Sequence, residues 1–196
     1  QQTLAAQVSA LIKKRGVLEV LRNGASFNGI NLQLAFFRPS GGGNPEHQER
    51  YEANRFGVMR QVHFSLKTPD QSVDVVILLN GLPIVSIELK NHFTGQNVQH
   101  AIAQYRRRDH RESFWSRCLV HFAVDDDAAY MSTQVQGKET LFLPFNRDTR
   151  NPVIPDRFAS SYLWDDFTDE YGEEQTGILR ADSLLMLIQN YLHHER

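Results

Sequence analysis

Asp74, Glu88 and Lys90 lie in one otherwise apolar stretch, SVDVVILLNGLPIVSIELKN, residues 72–91. The stretch reads as two strands joined by a turn at Asn80-Gly81. Side chains alternate faces along a strand, so Glu88 and Lys90 share one face and Leu89 points away from it, toward the core. Charges on strands this apolar are costly unless they are paired. Two carboxylates brought side by side also repel each other. A divalent cation relieves both problems. Carboxylate oxygens are hard donors that suit Mg²⁺ or Mn²⁺, and Mg²⁺ so held keeps waters that a phosphate group can displace.

Register decides whether the three groups meet. A strict two-residue turn would set Asp74 opposite Ile87 and leave Glu88 on the wrong face. A three-residue connection, Asn80-Gly81-Leu82, sets Asp74 opposite Glu88. A one-residue slip inverts every side chain, so convergence requires the longer turn or a bulge. Gly81 supplies the positive φ that either needs. The plainer alternative is an exposed strand face with a cross-strand charge pair.

The elements that must position these groups follow from periodicity. TLAAQVSALIKK (residues 3–14) is helical in spacing, and VLEVLRNG forms a second short helix stopped at Asn23-Gly24. NLQLAFF reads as a strand, and RPSGGGNPEHQERYEAN as a loop. FGVMRQVHFSL is a strand, turned by TPDQS before the hairpin. TGQNVQHAIAQYRRRDHRES then changes period: Val98, Ala101, Ile102 and Tyr105 form the apolar stripe of an amphipathic helix. CLVHFAVD is a buried type of strand, DDAA turns it, YMSTQVQ pairs back, and ETLFLPF adds another strand. Residues 144–180 read as irregular, with SYLWDDF as an apolar island, and residues 181–196 as a C-terminal helix. This order predicts an α/β fold, a mixed central sheet flanked by helices, in a single domain spanning 1–196.

Composition narrows the class. The chain has 196 residues with a formal net charge of −2, which excludes a generally basic nucleic-acid coat but not a local basic face. The single cysteine, Cys118, rules out a disulfide framework and reads as a buried, inert thiol. No run is long enough to span a membrane, and nothing marks a secretory signal, so a cytoplasmic protein is expected.

The spacing Asp74, thirteen residues, then Glu88-Leu89-Lys90 resembles the PD-(D/E)xK nuclease superfamily, with Val73 where the name has proline. YEANRFGVMRQVHFS, VDVVILLNGLPIVSIELKNHFTGQNVQHAIAQYRR, CLVHFAVDDDAAYMST, TLFLPFN and SYLWDDF extend the likeness, from about residue 16 onward. In this order they resemble the N-terminal endonuclease domain of the restriction (motor) subunit of type I restriction–modification enzymes.

The resemblance implies a restriction-endonuclease-like fold and a Mg²⁺-dependent (or Mn²⁺-dependent) endonuclease acting on double-stranded DNA, leaving 5′-phosphate and 3′-hydroxyl ends. It implies methyltransferase and specificity subunits as partners, and ATP used only by motor domains that this chain lacks. No G-x-x-x-x-G-K-[ST] occurs in it. The chain is thus expected to be a fragment, with the family's first acidic segment lying before Gln1. Asp74 and Glu88 match the metal ligands, with the main-chain carbonyl of Leu89 as a third, and Lys90 matches the group beside the attacking water. The family also carries a Gln and a Tyr one turn apart on the following helix. Here Tyr105 is preceded one turn earlier by Ala101, and the nearest Gln is Gln104.

Tyr105 lies on the apolar stripe, where a core role and a DNA contact both stay open. Gln104 falls on the opposite stripe with Arg107, Arg108 and Arg111, which is either a solvated face or a phosphate-binding one. Asp125, Asp126 and Asp127 are expected as turn residues, and the eight histidines show no zinc-binding spacing. His193 and His194 suit a helix C-terminus. Two rivals remain: an idle docking module for DNA or the methyltransferase core, and a stand-alone repair nuclease of the same fold.

Overall fold

The computed structural model describes residues 3–39, 41, 44–145, 163, 164, 166–168 and 172–193. The expected irregular segment lies mostly outside them, as do Ser161, Tyr162 and Asp165 of SYLWDDF, and His194.

The chain opens with α1 (Leu4–Arg15) and α2 (Val17–Asn23), capped by Thr3 and separated by Gly16. A short hairpin follows, β1 (Ala25–Phe27) and β2 (Ile30–Leu32). The expected strand NLQLAFF is therefore cut to its first residues. From Gln33 on, a side chain bridges the backbone instead: Gln33 Nε2 donates to the carbonyls of Arg22 and Ala35 at 3.1 and 3.0 Å. The expected loop at 38–54 contains a helix, α3 (Pro45–Glu52). Asn44 caps it by accepting from Glu46 N at 3.0 Å, Pro45 fits its first turn, and Glu46 pairs with Arg50 one turn on.

The central sheet has six strands in the order β3 (Phe56–His63), β4 (Ser72–Leu79), β5 (Leu82–Leu89), β6 (Val120–Val124), β7 (Ala129–Ser132) and β8 (Leu143–Pro144). Every neighbouring pair is antiparallel except β5 and β6, which run parallel. A parallel pair needs a crossover, and α4 (Val98–Arg107) lies within it. The sheet is thus mixed, as the order of elements predicts. A two-stranded ribbon, β9 (Phe167–Thr168) with β10 (Glu174–Gln175), precedes α5 (Ala181–Met186), which continues as a π-helical turn to Tyr191.

Each sheet face buries a core. On one side Ile77, Leu79, Val85, Ile87, Phe122 and Val124 pack with residues of α1, α2 and α5. On the other, Val76 and Ala123 pack with Val98, Ala101, Ile102 and Tyr105 of α4 and with Trp115. Cys118 is buried, and burial pushes its thiol above the usual range, consistent with an inert role.

The β4–β5 turn has two residues, not three. Asn80 (φ 49°) and Gly81 (φ 84°) both take left-handed conformations, and Leu79 pairs with Leu82. Asn80 tolerates this because its side chain is fully engaged. Its Oδ1 accepts from Arg55 N at 2.7 Å, and its Nδ2 donates to Leu34 O at 2.9 Å and Asn54 Oδ1 at 3.0 Å. The register then shifts: Leu78 pairs with Pro83 but Ile77 with Val85, leaving Ile84 as an extra residue. The bulge that convergence requires is therefore at Ile84, not at Gly81. Pro83 explains its place, since proline offers no N–H to a ladder and is found at bulges. The freed Ile84 carbonyl accepts from Leu119 N at 2.8 Å.

Candidate metal and nuclease site

Beyond the bulge Val76 pairs with Ser86 and Val75 with Ile87, so the next step along the register sets Asp74 against Glu88. Their carboxyl groups are thereby neighbours across the strand pair, and each feels the other's charge. Glu88 is fully buried. Burial pushes its carboxyl up to about 7, and the Asp74 charge adds to this, while the Arg108 guanidinium pulls it down.

Both oxygens of Glu88 are held from the α4 side. Oε2 accepts from Gln104 Nε2 at 2.9 Å and Oε1 from Arg108 Nη2 at 2.8 Å. Asp74 is held from the β3 side and from its own hairpin: Oδ1 accepts from Gln61 Nε2 at 3.0 Å and Oδ2 from Leu89 N at 2.8 Å. Gln61 in turn accepts from Ser72 Oγ at 2.9 Å. Lys90 follows directly, half-buried, and its N–H donates to Val124 O at 2.9 Å. The β5–β6 pairing thus runs to the end of the strand, and alternation sets Lys90 on the same side as Glu88. Leu89 does not reach the core as expected. It is 41% exposed, because β5 ends there beyond the packed helices.

A buried polar layer supports this strand. Ser86 faces the same side as Glu88, and its hydroxyl meets Tyr105 Oη at 2.9 Å and His121 Nδ1 at 2.7 Å. Tyr105 also donates to Phe122 O at 3.3 Å. Tyr105 is completely buried and is a core residue, so the alternative of a DNA contact falls away. Burial lowers the His121 pKa to about 3, so the ring is neutral in the fold. Its unfolded value is higher, near 6.5, so the unfolded chain takes up the proton first. Stability linked to His121 is therefore present above pH 6.5 and is lost as pH falls toward 3. Between pH 7 and 5 the wild type is expected to lose about 2 kcal/mol more than His121→Asn in urea melts; equal losses would contradict it.

The basic stripe separates in space. α4 stops at Arg107, and Arg108 leaves the helix with ψ 146°. Arg108 was expected on the outer stripe, but it is buried, turned inward onto Glu88. Arg111 lies beyond the helix and grips Asp109, Nε to Oδ1 at 2.9 Å and Nη2 to Oδ2 at 3.1 Å, which holds the Asp109 carboxyl down to about 2. Arg107 stays exposed, its Nε donating to Ala103 O at 3.1 Å. Gln104 is not on a solvated stripe either. It reaches Glu88 together with Arg108, the residue one turn later, whereas Ala101 and Tyr105 are both in the core. Sequence reasoning thus missed Arg108 as the Glu88 partner and Gln61 as the Asp74 partner. The signals for them were the four-residue spacing of Gln104 and Arg108, and the antiparallel register that places position 61 across from 74.

Asp125 has a structural role. It accepts from Val98 N at 2.7 Å, tying the start of α4 to the end of β6, and from Asp127 N and Ala128 N within its own turn. Among the described residues no group of three or more His, Cys, Asp or Glu gathers as a metal cage. The donors at Asp74 and Glu88 fit a hard divalent ion that completes its shell from water and substrate. No helix among the described residues is long and apolar enough to cross a membrane.

The curated proteins offer no match. A family model described as the type I restriction enzyme R protein N terminus matches residues 10–140, and this span contains the whole hairpin, α4 and β6–β7. The chain belongs to this family, and its six-stranded mixed sheet flanked by helices is consistent with a restriction-endonuclease-like fold.

Proposed function

We propose that the chain is the divalent-metal-dependent endonuclease domain of a type I restriction enzyme, hydrolysing phosphodiester bonds in double-stranded DNA. The observation that carries the reading is the pair of neighbouring carboxylates, Asp74 and buried Glu88, with Lys90 next on the same face. A purely structural pair would gain nothing from a second like charge beside a buried one. Asp74, Glu88 and the Leu89 carbonyl would hold Mg²⁺ or Mn²⁺. When bound, such an ion neutralises the scissile phosphate and lowers the pKa of a coordinated water. Gln61 and the Leu89 N–H orient Asp74, while Gln104 and Arg108 orient Glu88. The Lys90 ammonium stabilises the attacking hydroxide and the charge that builds on the phosphoryl oxygens. ATP enters only through motor domains, and the methyltransferase and specificity subunits provide the recognition of a site in the cytoplasm.

The test is cleavage of duplex DNA by the complete enzyme with Mg²⁺, with and without chelator, in wild type and Glu88→Gln. Loss of cleavage with either chelator or substitution supports the reading. Cutting by Glu88→Gln at the wild-type rate would remove it.

Of the three arginines expected on the outer stripe, Arg107 is the one that stays on the helix and exposed, and it is the phosphate contact proposed here. Arg107→Ala is expected to reduce the salt slope of DNA binding by about one unit, equally across sequences. Arg111→Ala should change it less, because Asp109 already holds that guanidinium. An unchanged slope for Arg107→Ala would mark the residue as merely solvated.

A further inference from the structure

Arg108 is enclosed on every side the structure describes. Its side chain is 7% exposed and that of Glu88 0%. Nη2 is shared between Glu88 Oε1 at 2.8 Å and Ser72 O at 2.6 Å. The guanidinium carbon lies 5.3 Å from the centroid of the Phe64 ring. Nε is buried without a hydrogen-bond partner. A guanidinium left with an unused buried donor is stable only because a negative charge faces it. The site therefore holds two carboxylates, Asp74 and Glu88, and two cations, Arg108 and Lys90, and its formal charge sums to zero. Adding a divalent ion alone leaves two uncompensated positive charges where screening is weak. Adding DNA phosphates with it restores the balance.

Resting on the nuclease reading above, we propose that Arg108 is the resident counter-cation of the carboxylate pair. It makes the DNA-free site a poor metal binder and couples divalent-ion binding to DNA binding. Linkage makes the coupling reciprocal: the ion must raise affinity for DNA by the same factor as DNA raises affinity for the ion.

The test is calorimetric titration of Mn²⁺ into the 196-residue chain, alone and with a saturating phosphorothioate duplex. Wild type is expected to bind Mn²⁺ about tenfold or more tightly with the duplex. Without DNA, Arg108→Met, which keeps bulk beside Phe64, should bind Mn²⁺ about tenfold more tightly than wild type. Arg108→Lys, which keeps the charge and loses the planar fork, should stay near wild type. A residue that only positioned Glu88 would give the opposite pattern, with both variants weaker. Equal wild-type affinities with and without DNA would overturn the proposal without any variant. So would an Arg108→Met protein, folded by circular dichroism, that binds no more tightly than wild type. Glu88→Gln separates the two ideas: Mn²⁺ binding that survives it lies elsewhere and sinks the nuclease reading itself.

Discussion

Lys90→Ala is expected to stop DNA cleavage by the complete enzyme, a loss of about two to three orders of magnitude or more, while the domain stays folded. Removing one preorganised group that faces developing charge costs about that much in other hydrolases. Lys90 stands at the end of β5, where its backbone already bonds to Val124. Its side chain is only half-buried, so truncation removes little packing. Steady-state cleavage and a thermal melt of the same preparation check both halves. A variant cutting at the wild-type rate would take Lys90 out of the reaction.

Asp74→Asn should abolish Mn²⁺ binding in the presence of DNA and leave the metal-free domain no less stable than wild type. The first effect follows from charge. With Asp74 neutral, Arg108 and Lys90 outnumber the one remaining carboxylate, and a hard divalent ion loses an anionic ligand. The second follows from the neighbour: Asp74 and Glu88 repel, and that cost disappears in the amide. Asparagine still accepts from Leu89 N, and Gln61 can turn its amide to accept from the new donor. Calorimetry and melts on the two proteins separate the effects. Wild-type Mn²⁺ affinity in the variant, or a melting temperature lowered by several degrees, would contradict the account of the hairpin.

The sheet was legible because β4 and β5 are continuous apolar runs bounded by turn residues, as strands packed on both faces are. Val75, Ile77 and Leu79 alternate with Asp74, Val76 and Leu78, and Val98, Ala101, Ile102 and Tyr105 switch to helical spacing at α4. That the carboxylates needed a bulge to meet was also legible. Its position was not: Gly81 lies in the tight turn, and the extra residue is Ile84, directly after Pro83. α3 was missed because it buries little beyond Tyr51, so no apolar stripe marks it. The signals present were a cap at Asn44 and a proline at Pro45. Helical spacing puts Arg108 on the outer stripe with Gln104 and Arg111, to be either solvated or bound to phosphate. Its burial is decided by where α4 ends relative to Glu88, a tertiary fact that local spacing does not carry.

In the proposed mechanism Asp74 and Glu88, brought together by the bulged hairpin, would hold one divalent ion at which Lys90 acts. Anomalous scattering from crystals of the chain grown with Mn²⁺ and a phosphorothioate duplex tests it most directly. The expected result is a manganese peak bonded by both carboxylates, about 2.0–2.6 Å from their oxygens, with a DNA phosphate completing the shell. A manganese peak bound elsewhere, or DNA bound with no peak between Asp74 and Glu88, would contradict it.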